Sequence, residues 1–222
     1  MQLLIKFPTR NRPEKFLSVL ELYRNHLDQP QKCSFLVSAD LDDTSMNNDQ
    51  MKDHLAATPR VQLCFGANRS KIEAVNANMD QAPAFDILLL ASDDMIPVTQ
   101  GFDAIVRNRM QTHFPDTDGA LFFNDGRTGP ELNTLCILGR KYYERFGYIY
   151  HPAYQSFYCD NEYTLVGKAL NRLPYFPEVL IRHYHYTFVH QKPDALYLKN
   201  RPLSFHDSKV FAERKAQNFP HS

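Results

Sequence analysis

The sequence predicts an α/β fold in which a mostly parallel sheet is covered by helices and followed by a less regular α+β half. Three features point there. Short apolar runs alternate with helix-period segments from residue 2 to residue 98, the order expected of parallel strands joined by crossover helices. The most apolar of these runs, Phe85 to Leu90, reads as a strand and ends at a polar turn, Ser92-Asp93-Asp94. Every earlier strand also ends in a polar loop, and in open parallel sheets ligands bind beyond the carboxyl ends of the strands.

Taken in order, Gln2 to Phe7 forms a first strand, and Pro13 opens a helix in which Phe16, Leu17, Leu20 and Leu27 recur at helical spacing. Cys33 to Ala39 is the second strand, stopped by the acidic loop Asp40, Asp42, Asp43, and a polar helix is expected from Asn47 to Ala57. Val61 to Phe65 is the third strand. Ser70 to Met79 has helical character, with Ile72, Val75 and Met79 on one side, and leads into the strand at Phe85. After Pro97 the pattern loosens: a helix near 101–110, strands near 119–123 and 132–138, and helices near 141–146 and 162–170. A strand at 179–181 precedes a histidine-bearing segment to His190, and a polar, aromatic-dotted tail follows. No repeat, low-complexity stretch or linker interrupts the chain, so one two-lobed domain over residues 1–222 is expected.

Composition narrows the function. With 43% hydrophobic residues in 222, the chain can bury a substantial core. Lys plus Arg and Asp plus Glu number 25 each, so no net positive field exists to hold nucleic acid or an anionic membrane. An anionic ligand must therefore be caught locally. The four cysteines, Cys33, Cys64, Cys136 and Cys159, lie singly in apolar stretches, which fits buried thiols and a reducing, cytoplasmic setting better than a disulfide scaffold. Met1 to Phe7 is too short for a leader core and reads as a strand, and no apolar run approaches the roughly 20 residues that span a bilayer.

The chemistry is expected in the strand-end loops. The first loop contains no glycine, which argues against a dinucleotide fingerprint and against a P-loop. It offers Thr9, Arg10, Asn11 and Arg12 instead, donors suited to a ribose, a base edge or a phosphate. Asp93 and Asp94 are adjacent carboxylates at the end of an apolar strand, where their repulsion needs a compensating cation or hydrogen bonds. A divalent Mg²⁺ or Mn²⁺ supplies that compensation together with substrate phosphates. An exposed acidic turn is the alternative reading of the pair. Arg182-His183-Tyr184-His185 follows a strand and places two histidines on one face. The dense aromatic stretch from Tyr142 to Tyr158 is mostly core packing, with no more than two rings left for a substrate. Asp125-Gly126-Arg127 forms a loop whose position would let it close over a ligand.

The runs LLIKFPTRNRPEKF, VSADLDD, NRSKIEAVNANMD and LLLASDDMIP, in this order and spacing, resemble the nucleotide-sugar-binding half of family-two GT-A glycosyltransferases. The resemblance spans residues 2–98 and continues more thinly to about 190. It implies a GT-A-like, Rossmann-type sheet, a nucleotide-sugar-binding half at 1–98, an acceptor and catalytic half at 99–190 and a tail at 191–222. It implies nucleoside contacts from Pro8, Thr9, Arg10 and Asp40, with Asp40 on the base, and Asn68 and Lys71 beside the base or diphosphate. Asn76 would hold its helix against the loop. Asp93 and Asp94 stand for the family's Asp-x-Asp signature, one touching ribose or sugar and the other the metal. Because the signature's first acid is Ala91 or Ser92 here, ligation falls chiefly to Asp94. One of His183 and His185 would complete the metal shell. Tyr158-Cys159-Asp160-Asn161-Glu162-Tyr163 resembles the motif that carries the general base of inverting members; it points to Asp160, with Glu162 in reserve, although Cys159 replaces the family's usual Glu.

The function implied is metal-dependent transfer of a hexose from a nucleoside-diphosphate sugar, uridine-linked by preference, to a saccharide or other hydroxyl acceptor. Two alternatives remain at this stage. One is a sugar nucleotidyltransferase, which would normally carry a Gly-rich phosphate loop that is missing here. The other is a non-catalytic nucleotide- or sugar-binding module.

Overall fold

A computed structural model describes residues 1–184 and 202–220. Four strands, β1 (Leu3–Pro8), β2 (Cys33–Asp40), β3 (Val61–Gly66) and β4 (Ile87–Leu90), lie parallel in the order β3-β2-β1-β4. They are joined by α1 (Pro13–Asn25), α2 (Asp49–Ala56) and α3 (Lys71–Asn76). This is the expected alternation. The short strand β5 (Met95–Pro97) and α4 (Phe102–His113) follow, and the sheet then continues beyond β4 through elements of the second half. β6 (Ala120–Phe123) and β7 (Ile137–Gly139) add themselves in the order β4-β7-β6, both contacts antiparallel, and β8 (Tyr175–Phe176) closes the far edge parallel to β6.

Local chemistry explains the helix starts. Pro13 opens α1 where its missing N–H costs nothing, and Glu14 and Arg24 suit the two ends of the helix dipole. Asn48 and Ser70 cap α2 and α3 by accepting hydrogen bonds from Met51 N and Glu73 N. The two faces of β1 feed two cores. Leu3, Ile5 and Phe7 pack with α1 and α4, where the Phe7 and Phe16 rings meet edge-on at 5.0 Å. Leu4 packs with Leu36, Ile72 and Leu88 on the other face, joined there by Tyr142, Tyr150, Tyr154 and Tyr163. Most of the aromatic stretch is therefore core, as its density suggested. All four cysteines are buried free thiols. No helix among the described residues is long and apolar enough to cross a membrane.

Three elements were not foreseen. β5 is a three-residue strand paired antiparallel with β9 (Ile181–His183) in a separate ribbon, Met95 opposite His183. β8 has two residues, too few for any periodicity to register. The segment expected as a tail contains α7 (Leu203–Ala216), whose buried positions are the charged Asp207 and Arg214. A helix that buries charge rather than apolar residues leaves no amphipathic signature. In the second half, α5 (Arg140–Phe146) matches expectation, while α6 (Cys159–Ala169) begins three residues early and takes in Asp160.

Lys6 breaks the apolar run of β1 and is fully buried. Its ammonium donates to Ser38 Oγ and, at 2.6 Å, to the Ala77 carbonyl just past α3, tying that helix to the sheet. Burial pulls its pKa down to about 7, with the nearby Cys64 opposing the shift. The folded protein thus binds fewer protons here than the unfolded chain between about pH 7 and the ordinary lysine value, so stability rises with pH across that window. Denaturant unfolding of the parent and of Lys6→Met at pH 6 and pH 8.5 should show the parent gaining about 2 kcal/mol on the variant. A constant difference would mean that Lys6 keeps an ordinary pKa.

Candidate functional site

The loops after β1, β2, β3 and β4 all emerge at one edge of the sheet, because those strands run parallel and in register. The edge carries two groups of side chains. The first gathers around Asp40, a buried carboxylate at the end of β2. Arg10 donates through Nη1 to Asp40 Oδ2, and Asn68 donates through Nδ2 to Asp40 Oδ1 at 2.7 Å. Arg10 also spans both oxygens of Asp42 at 2.7 and 2.8 Å, a fork-to-carboxylate pair. The hydrogen bonds to Asp42 and Asp40 raise the Arg10 pKa, so the guanidinium stays charged. Thr9 Oγ1 and Arg10 Nε are buried without a hydrogen-bond partner among the described residues. Buried polar atoms left in that state are costly unless a ligand or water meets them. Pro8 ends β1 beside Ser38, and Thr9 N donates to the Ser38 carbonyl.

The second group forms around Asp94. The β5–β9 ribbon returns the chain so that Tyr184 N donates to the Asp94 carbonyl at 2.7 Å and the His183 Nε2 lies 3.4 Å from Asp94 Oδ2. Ser92 Oγ donates to the other carboxylate oxygen. Burial alone would raise the Asp94 carboxyl, but His183, Ser92 and the Lys71 ammonium outweigh it and hold the acid below the usual carboxylate range. His183 Nδ1 is 3.8 Å from Asp125 Oδ2. Burial disfavours the imidazolium, yet Asp125 and Asp94 together lift its pKa above the ordinary value. Asp160 begins α6 in the same field. Desolvation raises its pKa, opposed by Lys71 and, more weakly, by His183. The residue that precedes α6, Tyr158, has a left-handed backbone with φ 61°, a strained state for an aromatic residue that persists only where neighbours enforce it.

Two of the expected ligand residues are instead held by each other. Asp93 and Asp94, adjacent in sequence, turn their side chains to separate counter-charges. Asp93 accepts from Arg12 Nη1 at 2.9 and 3.1 Å and from Lys15 at 3.3 Å. Arg12 thus gives one guanidinium nitrogen to Asp93. Glu162 does not fit its role as reserve base. Both its oxygens accept from Arg214 at 2.7 Å, and Tyr154 donates to one of them, also at 2.7 Å. Its position two residues past Asp160 turns it to another face of α6. His185 lies outside the described residues. Asn76 does brace α3, through Tyr150 O and the N–H groups of Ile149 and Tyr150.

Asp125 is the residue that sequence reasoning undervalued. Its Oδ1 accepts from Arg127 N and Thr128 N, and its Oδ2 accepts from Thr134 and faces His183. Burial would raise its pKa, but these hydrogen bonds depress it below the carboxylate range. Gly126 follows with φ +77°, where a Cβ would also crowd Arg182 at 3.3 Å, so the tight turn that aims Asp125 at the histidine requires glycine. The Asp-Gly pair after an apolar strand was the available signal.

No group of three or more His, Cys, Asp or Glu side chains able to hold an ion exists among the described residues. Asp94 and His183 offer two. An oxygen and a nitrogen 3.4 Å apart fit neighbouring vertices of an octahedral shell, whose edge is about 3 Å for ligands at 2.1 Å. The remaining positions would fall to water and phosphate oxygens, the usual arrangement for Mg²⁺ and related ions.

No family model and no curated protein matches the chain. Solved structures do. The mannosyltransferase PcManGT from Pyrobaculum calidifontis, in complex with GDP-Man and Mn²⁺, superposes with a TM-score of 0.65 over 91% of this chain at 17% identity. S. aureus TarS 1-349 in complex with UDP-GlcNAc superposes with a TM-score of 0.65 over 90% at 14% identity. The chain spans 60% and 61% of the lengths of these two proteins. Its fold is GT-A-like.

The network around Asp125 makes a direct prediction. Asp125→Ala leaves two backbone N–H groups and Thr134 unpaired and should cost roughly 2–4 kcal/mol in unfolding free energy. A loss under 0.5 kcal/mol in denaturant titration would show that water replaces the carboxylate.

Proposed function

We propose that the chain transfers a sugar from a UDP-linked donor to a hydroxyl acceptor with inversion, using Asp160 as base and a divalent ion held by Asp94 and His183. The observation that carries this reading is the convergence of Lys71, Asp94, Asp160 and His183 at the carboxyl edge of a GT-A-like sheet.

The Asp40 cluster favours uracil. Arg10, Asp40 and Asn68 present donor, acceptor and donor in a row, the complement of the imide edge of uracil with its carbonyl, N–H and carbonyl. Guanine offers one carbonyl and two N–H groups, and would set a donor of the protein against a donor of the base. The unpartnered Thr9 Oγ1 and Arg10 Nε suit the nucleoside beside them.

In the transfer step, a lone pair of the acceptor hydroxyl forms a bond to the anomeric carbon while the bond to the UDP oxygen breaks. Asp160 takes the hydroxyl proton, and the desolvation that raises its pKa makes it the stronger base. A single displacement inverts the anomeric centre. The Lys71 ammonium, close enough to influence Asp94 and Asp160 alike, would stabilise the charge that grows on the diphosphate. Asp94 and His183 would hold the ion, with Asp125 fixing the imidazole in the manner of a carboxylate behind a metal-bound histidine. Such an ion, when bound, neutralises the diphosphate.

Thermal shift with Mn²⁺ should show stabilisation by UDP and none by GDP at equal concentration, since only a ligand of the folded state raises the melting temperature. Equal shifts would remove the case for uracil. Asp94→Ala should abolish the Mn²⁺-dependent part of UDP binding, whereas Asp160→Asn should bind UDP normally and lose about 100-fold or more in donor turnover. Parallel loss of UDP affinity in both variants would refute the division of roles.

A further inference from the structure

The C-terminal helix α7 contacts the start of α6 on both sides of Asp160. Asp207, fully buried, accepts from three consecutive backbone N–H groups: Gln155 at 3.0 Å on Oδ1, then Ser156 and Phe157 at 2.8 Å each on Oδ2. Phe211 lies against the ring of Tyr158, with centroids 5.6 Å apart and planes 30° from parallel. Arg214 forks onto Glu162 at 2.7 Å through Nε and Nη2. These three residues are spaced i, i+4, i+7 and form one stripe of the helix. What they touch, residues 155–157, 158 and 162, brackets Asp160 in the chain.

The stripe also reaches the donor side. Gln155, whose N–H is fixed by Asp207, gives its carbonyl to Ile72 N in the first turn of α3, next to Lys71. One carboxylate on α7 therefore sets the loop that separates Lys71 from Asp160. The cost of the left-handed Tyr158 is met locally by the same stripe, through Asp207 just before it and Phe211 on its ring.

We propose that Asp207 is a positioning residue for sugar transfer: through the 155–157 loop it fixes the place of Asp160 relative to Lys71, and α7 is a working part of the catalytic half. This rests on the assignment of Asp160 as base of a UDP-sugar transferase. Asp207 touches neither donor nor acceptor. Its charge matters because three N–H groups converge on it, a nest that an amide, with only one acceptor oxygen, cannot satisfy.

The test uses the full chain, UDP binding by calorimetry with Mn²⁺, and hydrolysis of UDP-sugars with water as acceptor. Asp207→Asn should bind UDP within about twofold of the parent and keep the KM for donor, while kcat falls about tenfold or more; Asp207→Glu should recover part of kcat. A purely structural loss would reduce active protein, and with it the UDP stoichiometry, by the same factor as turnover. If Asp207→Asn yields no folded protein by thermal unfolding and UDP binding, Arg214→Lys, which keeps the charge and loses the fork, must show the same split. The proposal is overturned by a folded Asp207→Asn, or a folded Arg214→Lys where that variant stands in, with kcat within about twofold of the parent or with UDP affinity and kcat lost together. A parent that neither binds UDP nor hydrolyses any UDP-sugar overturns the underlying assignment instead, and that failure appears before any variant is made.

Discussion

The pairing of Met95–Pro97 with Ile181–His183 determines whether this chain has a site at all. Parallel strands bring four loops to one edge, but the strand-end loops of the first half contribute no histidine, and to Asp94 they give only Ser92 Oγ and the charge of Lys71. The ribbon supplies the histidine and the backbone clamp. It carries His183 back across nearly ninety residues of chain, and its backbone clamps the Asp94 carbonyl through Tyr184 N. Asp125 faces the imidazole from the β6 side at 3.8 Å. An antiparallel contact of three residue pairs thus joins the two halves where their charges must cooperate.

Charge at this edge is handled in separate lots. Arg10 serves Asp40 and Asp42, Arg12 and Lys15 serve Asp93, and His183 stands between Asp94 and Asp125. Asp93 and Asp94 face different cations, so the two adjacent aspartates do not compete for one. This division leaves Asp94 with an oxygen facing an imidazole, while Asp93 anchors the start of α1.

The first half was readable from sequence because its strands are uninterrupted apolar runs and its loops sit where switch-point geometry demands. The loops that carry Asp40, Asn68, Lys71 and Asp94 emerge at the one edge expected of parallel strands. Glu162 shows the limit of such reading: a sequence shows that a charged side chain is available, and only the fold shows that Arg214 pairs with it. Asp125 and α7 were missed for the opposite reason. Asp125 looked like turn chemistry, and α7 buries Asp207 and Arg214 instead of an apolar stripe, so hydrophobic periodicity had nothing to detect.

If the Asp40 corner receives the base as proposed, the hydrogen bonds of Arg10 bear on how tightly a nucleoside would be held. Arg10 and Asn68 both already donate to Asp40, so an incoming base would exchange existing hydrogen bonds for new ones and gain little net enthalpy from those bonds. Discrimination works through penalty rather than reward. A base that disrupts the trio without restoring each bond strands a buried ion, which costs far more than the correct base gains. On the proposed reading, affinity would come from the phosphate end and the Asp40 corner would act as a veto on the wrong donor.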